Sequence, residues 1–182
     1  MTSEKLKMLA GEWYNPADQE LMEDRGFAHS LCRRLSYGPE ENLQALLQQL
    51  LVRVPQGLTI TPPFFCDYGY NIDLADNVYF NANCVLLDIC CISIGKGTLL
   101  GPSVHIYTVN HPMDAALRRT GKEIGMPVQI GQDVWIGGAS VICPGVHIGN
   151  QTVIGAGSVV TKSLPSGVFA AGIPCRVVRN LD

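Results

Sequence analysis

Charge is scarce in this chain and its imbalance is small. Asp, Glu, Lys and Arg make up 16% of the 182 residues and the formal net charge is -3, which gives no overall pull toward nucleic acid or an anionic membrane. A small-molecule partner is the expectation. Long hydrophobic runs are missing too: the opening MTSEKLKMLAGEW mixes charged with apolar residues, so the reading predicts neither a secretory signal nor a membrane span, and a cytoplasmic protein. No cysteine framework is legible. The seven cysteines are odd in number, Cys84, Cys90 and Cys143 fall inside apolar runs, and the adjacent Cys90 and Cys91 do not form a CxxC. They are expected to be reduced thiols packed as small hydrophobes.

What the chain does have is apolar content. At 47% hydrophobic over 182 residues, it can bury one substantial core, and a single functional unit is expected. Residues 1–57 read as a helical segment. Asn15 is placed to cap a helix opened by Pro16, with Leu21, Ala28, Leu31, Cys32 and Leu35 at helical spacing up to Gly38 and Pro39. A second apolar stripe, Leu43, Leu46, Leu47, Leu50, Leu51 and Val54, predicts an amphipathic helix stopping near Pro55 and Gly57.

From residue 58 to 182 the period changes to six. Ile130, Ile136, Ile142, Ile148, Ile154 and Val160 recur without a slip, the first five each followed by Gly or Cys. The same step runs through Ile60, Cys66, Ile72, Val78 and Cys84, then Ile94, Leu100 and Ile106, with four extra residues before Ile94. Smaller or β-branched residues recur four places on, at Val134, Ser140, Val146, Thr152 and Ser158. Hexapeptide self-similarity predicts a mainly β chain, a parallel β-helix in which three six-residue units make a turn and the aliphatic ladder fills the interior. Ile106 and Ile130 are four units apart with an intervening segment of the wrong composition, so residues 107–127 should leave the coil as an excursion loop and return in register.

Five segments carry a likeness beyond the repeat: EKLKMLAGEWYNPAD at 4–18, CDYGYNI at 66–72, YTVNHPMD at 107–114, VWIGGASVICPGVHIG at 134–149 and VIGAGSVVTKSLPSGVFAAGIPCRVVR at 153–179. In these, and over essentially its whole length, the chain resembles the maltose and galactoside O-acetyltransferases with their nodulation-factor relatives. The resemblance implies a left-handed β-helix assembled as a homotrimer, with acetyl-CoA as co-substrate, a sugar acceptor, no metal, and active sites between neighbouring prisms.

Residue by residue, it implies His111, in Asn110-His111-Pro112, as the catalytic base. A neutral imidazole, with a reference pKa near ~6.5, can take the proton from an attacking hydroxyl. Asn81 matches an acceptor-site amide able to orient that hydroxyl, although an Asn also suits a coil corner. Asp67 and Asp88 match acceptor-contacting positions. Asp18 could reach the same cleft, although acidic residues near a helix start are ordinary caps.

After Asp133 the only charged residues are Lys162, Arg176, Arg179 and Asp182, a basic end suited to the phosphates of CoA. By resemblance, Gly138, Ala156, Thr161, Lys162, Arg176 and Arg179 fall at CoA-contacting positions, and Trp135 borders the pantetheine. No Ser or Cys sits in a nucleophile elbow, so direct transfer in a ternary complex is expected. The competing readings are a metal-dependent hydratase resembling γ-class carbonic anhydrases, using His105, His111 and His147, a non-catalytic β-helix, and a transferase with a non-sugar acceptor.

Overall fold

The aliphatic residues six apart pair with their counterparts one turn away. In the computed structural model, which describes residues 2–38 and 42–181, Ile136 lies between Leu100 and Ile154, Ile142 between Ile106 and Val160, and Ile130 between Ile94 and Ile148, all in parallel pairing. Three parallel faces result. The first runs through Ile60, Phe80, Leu100, Ile136, Ile154 and Ala170, the second through Cys66, Leu86, Ile106, Ile142 and Val160, and the third through Leu74, Ile94, Ile130 and Ile148. All of these side chains are buried in one core, the Val, Leu, Ile and Phe among them each contributing roughly 1.5–3 kcal/mol of transfer free energy before entropy is subtracted.

The early ladder has a different register from the one predicted. Ile72, Val78 and Cys84 were expected on it, but the structure puts Leu74, Phe80 and Leu86 there. The steps from Cys66 to Leu74 and from Leu86 to Ile94 are both eight residues, so the four extra residues divide equally between two corners. Strand side chains alternate with period two. Residues two places before the ladder therefore also point inward, and Ile72, Val78 and Cys84 are indeed buried; apolarity alone cannot separate the two sets.

Corners are built from three recurring residues. Where glycine follows a ladder residue, after Ile94, Leu100, Ile130, Ile136, Ile148 and Ile154, it is required by the next coil rather than by its own backbone angles: a Cβ on Gly95 would stand 2.5 Å from the Gln132 nitrogen. Left-handed backbone falls elsewhere, three residues before the ladder positions, at Asn77, Asn83, Ser103, Asp133, Ala139 and Gln151. Buried Ser140 and Thr98 hydroxyls donate to the carbonyls of Gly137 and Gly131, at 2.7 and 2.9 Å, which satisfies groups that a bend would strand.

Three helices precede the coil: α1 (Glu4–Leu9), α2 (Gln19–Tyr37) and α3 (Leu43–Leu50). The start of α2 corrects the predicted cap. Asn15 closes a turn, its Oδ1 accepting from Ala17 N–H at 3.1 Å, and Asp18 caps the helix by accepting from Glu20 N–H at 3.1 Å. Pro39 lies outside the described residues. Helix α3 ends before Leu51, which is extended but still buried, so Leu51 and Val54 lie beyond the helix that the apolar stripe predicted. Leu31, Cys32, Leu35, Leu46, Leu47 and Leu50 join the same core as Ile60 and Phe64, so the helices cover the first coil. At the far end Val168–Gly172 continues the first face and turns back antiparallel as Cys175–Asn180. Among the described residues no helix is long and apolar enough to cross a membrane.

The excursion leaves after His105–Tyr107 on the second face and rejoins through Val128–Ile130 on the third, in register with Ile92–Ile94. Its limbs, Val109–Asn110 and Ile124–Gly125, pair antiparallel. A short helix, α4 (Ala115–Arg118), forms its tip, capped by Asp114.

Candidate active site

His111 follows directly on Asn110, the rung paired with Ile124, so its backbone is held on one side by the hairpin and on the other by Pro112. It is exposed. Its side chain lines a pocket of about 460 Å³ with Arg25 from α2, Asp67 from the end of Phe64–Cys66, Leu87, Val109 and Glu123 from the returning limb. Carboxylates, a guanidinium and an imidazole thus share a cavity with aliphatic walls. Hydroxyl groups find acceptors and a proton-accepting nitrogen there, while carbon faces find apolar contact.

The polar side chains are held from behind. Arg25 donates to the Tyr68 hydroxyl at 2.8 Å and to the Pro16 carbonyl at 2.7 Å. His29 Nε2 lies 3.3 Å from Asp67 Oδ1. Burial raises the Asp67 carboxyl above its ordinary range, with the His29 contact pulling the other way. Arg25, Glu123 and the Tyr14 that supports Glu123 were passed over in the sequence. Tyr14 and Glu123 belong to different segments with no shared period, and only the pairing of those segments brings them together.

Other expected residues are distributed. Asn81 stands on the corner between first and second faces, its Oδ1 accepting from Ala82 N–H at 2.8 Å, and does not line the His111 pocket. Gly138 and Ala156 occupy the same corner two and three coils further along, Gly138 accepting from Gly157 N–H at 2.9 Å. Thr161 and Lys162 are exposed on the opposite edge of the second face, after Val159–Val160. Trp135 is exposed on the first face, and Arg176 and Arg179 are exposed on the last strand. Asp182, grouped with them by sequence, lies outside the described residues.

Asp88 departs from the expectation. It is fully buried, and its carboxylate accepts from the N–H groups of Asp67, Tyr68 and Gly69 at 2.8, 2.9 and 2.7 Å. It braces the loop that presents Asp67 instead of reaching an acceptor. Asp18 likewise is occupied as the cap of α2.

A larger cavity of about 610 Å³ lies along the outer side of the second face, between α2 residues such as His29 and Arg33 and the strand residues Phe65, Val85 and His105. It gathers none of the expected site residues, so the smaller pocket is the candidate. The three histidines of the hydratase reading are on different surfaces, His105 on the second face, His111 on the excursion and His147 on the third face. Among the described residues no group of three His, Cys, Asp or Glu side chains is placed to hold a metal ion.

The fold has counterparts among known proteins. A maltose acetyltransferase hexapeptide capping motif matches residues 7–55, and a bacterial transferase hexapeptide of six repeats matches residues 127–162. Nodulation protein L of Rhizobium meliloti strain 1021 is 46% identical over 178 residues, 96% of this chain and 97% of that protein. The crystal structure of a maltose O-acetyltransferase from Clostridium difficile 630 superposes with a TM-score of 0.96 at 43% identity, over 100% of this chain and 98% of that one. The chain belongs to the maltose acetyltransferase family of hexapeptide-repeat enzymes. The acetyltransferase also superposes on a hexapeptide-repeat acetyltransferase from Vibrio cholerae O1 biovar eltor, solved with acetyl-coenzyme A, with a TM-score of 0.92 at 36% identity over the whole of both chains. Its three N-terminal helices coincide with the capping match, and its unbroken six-residue ladder with the repeat match.

Proposed function

We propose that the acetyltransferase moves an acetyl group from acetyl-CoA to a hydroxyl of a sugar such as maltose or glucose, directly, with His111 as general base. The observation that carries this reading is the placing of the His111 imidazole in a pocket with Asp67 and Arg25. His111 takes the hydroxyl proton as the acceptor oxygen bonds to the thioester carbonyl carbon. The carbon–sulfur bond then breaks, and the leaving CoA thiolate takes the proton from the His111 imidazolium, which restores the neutral base. Asp67 accepts hydrogen bonds from other acceptor hydroxyls, and Asn81 supports charge on the reacting oxygen.

Asn81 and Gly138 are on one edge of the second face, and His111 and Lys162 on the other. A homotrimer in which one copy's first edge meets its neighbour's second edge would bring His111 to Asn81, and the separation within one chain supports that assembly. Lys162, Arg176 and Arg179 would then meet the phosphates of CoA, and Trp135, Gly138, Ala156 and Thr161 its pantetheine arm.

The test is acetyl-CoA-dependent thiol release across a panel of sugars, amino sugars and serine, with His111→Ala as control. Loss of kcat by roughly 100-fold or more, with CoA affinity retained, is the expected result. Equal turnover by the variant would defeat the base assignment, and a preference for serine over every sugar would defeat the acceptor class.

A further inference from the structure

Tyr14, near the start of the chain, and Glu123, on the returning limb of the excursion, meet through three hydrogen bonds. Tyr14 N–H donates to the Glu123 carbonyl at 3.0 Å, Glu123 N–H donates to the Tyr14 carbonyl at 3.1 Å, and the Tyr14 hydroxyl donates to Glu123 Oε2 at 2.6 Å. Tyr14 is fully buried, in a cluster with Met8, Leu21, Tyr68 and Ile89 against which Val109 packs. The residues after Glu123 are Ile124–Gly125, the limb paired with Val109–Asn110, and Met126 N–H donates to the Thr108 carbonyl at 2.8 Å. Tyr14 therefore grips one limb of the hairpin, and the other limb ends at His111.

We propose that Glu123 is a positioning residue for His111, and that the N-terminal segment, through Tyr14, sets the geometry of the loop carrying the base. The inference rests on reading His111 as that base. A hydroxyl given to a carboxylate is a short, charge-assisted bond with a preferred direction. With its donor buried in packed side chains, Glu123 has little freedom to shift, and neither does the rung beside His111. Displacing a catalytic group by about 1 Å is enough to cost on the order of 100-fold in rate.

The experiment compares full-length Tyr14→Phe, Glu123→Ala and Glu123→Gln with the unaltered protein. Tyr14→Phe should lower kcat about tenfold with acceptor KM within about threefold, the pattern of a group needed in the transition state. Glu123→Ala should do the same or worse. Glu123→Gln keeps an oxygen for the Tyr14 hydroxyl and should recover kcat to within about threefold. Unchanged kcat in Tyr14→Phe, or equal damage from Gln and Ala, would overturn the proposal.

Hydrogen exchange supplies a readout that needs no acceptor. Amides in residues 107–126 should exchange faster in Tyr14→Phe while those in 128–160 keep their rates. No change, or a uniform acceleration, would remove the clip. If the unaltered protein acetylates no acceptor, the His111 reading fails by itself and exchange still decides whether Tyr14 holds the hairpin.

Discussion

The Gly69 N–H donates to Asp88 Oδ2 at 2.7 Å, inside a loop where Asp88 is fully buried. Burial pushes the Asp88 carboxyl up to about 7, against the opposing pull of the backbone donors. In the unfolded chain it ionises near ~3.9. The folded state therefore keeps a proton that the unfolded state has lost, and the associated stability is complete below about pH 4 and withdrawn as pH rises through 7. Asp88→Asn lacks this titration. The stability of the unaltered protein relative to Asp88→Asn should fall by up to about 4 kcal/mol from pH 4 to pH 8, measured by denaturant unfolding at each pH. A difference that stays flat would count against a raised carboxyl.

Two glycine substitutions should have opposite signs. A Cβ on Gly95 meets the next coil's backbone at 2.5 Å, whereas one on Gly26, inside α2, meets nothing within 4 Å. Gly95→Ala should lose about 1–3 kcal/mol through overpacking, and Gly26→Ala should gain about 0.5–1 kcal/mol from helix propensity. Thermal midpoints compare them. A neutral Gly95→Ala would mean that the coils do not stack this closely.

Asp67 lines the His111 pocket and is held by His29. Asp67→Ala should raise acceptor KM roughly tenfold, the scale of one charge-assisted hydrogen bond, while leaving the dissociation constant of CoA unchanged. Initial-rate kinetics with calorimetric CoA titration separate the two, and an effect confined to CoA would remove Asp67 from the acceptor side.

Lys162 and Arg176 are exposed. Lys162→Ala and Arg176→Ala should each weaken CoA about tenfold or more, the scale of a charged hydrogen bond. The loss should shrink as salt rises and screening increases. A change in acceptor KM alone would reassign both residues.

Legibility in the sequence followed the length scale of the interaction. The run from Ile130 to Val160 was readable because one side chain per unit faces the interior at fixed spacing. Between Cys66 and Ile94 the same reading slipped by two residues, since Ile72 and Leu74 are both buried and a two-residue shift leaves every side chain on its original side of the strand. Asp88 shows the other failure. A carboxylate beside a recognised motif was taken for an acceptor contact, and only the fold shows its oxygens given to three backbone N–H groups.

By itself, the order of residues determined the six-residue ladder, the departure of the excursion after Ile106, the apolar stripes of the N-terminal helices and the motif around His111. These are local: each depends on which residues stand within a few positions of one another. Tertiary structure decided the rest, because stacking places residues a whole coil or more apart side by side. It put Asp67 and His111 in one pocket, set Asn81 on the opposite edge, and joined Tyr14 to Glu123 across more than half the chain, a contact that sequence spacing does not encode.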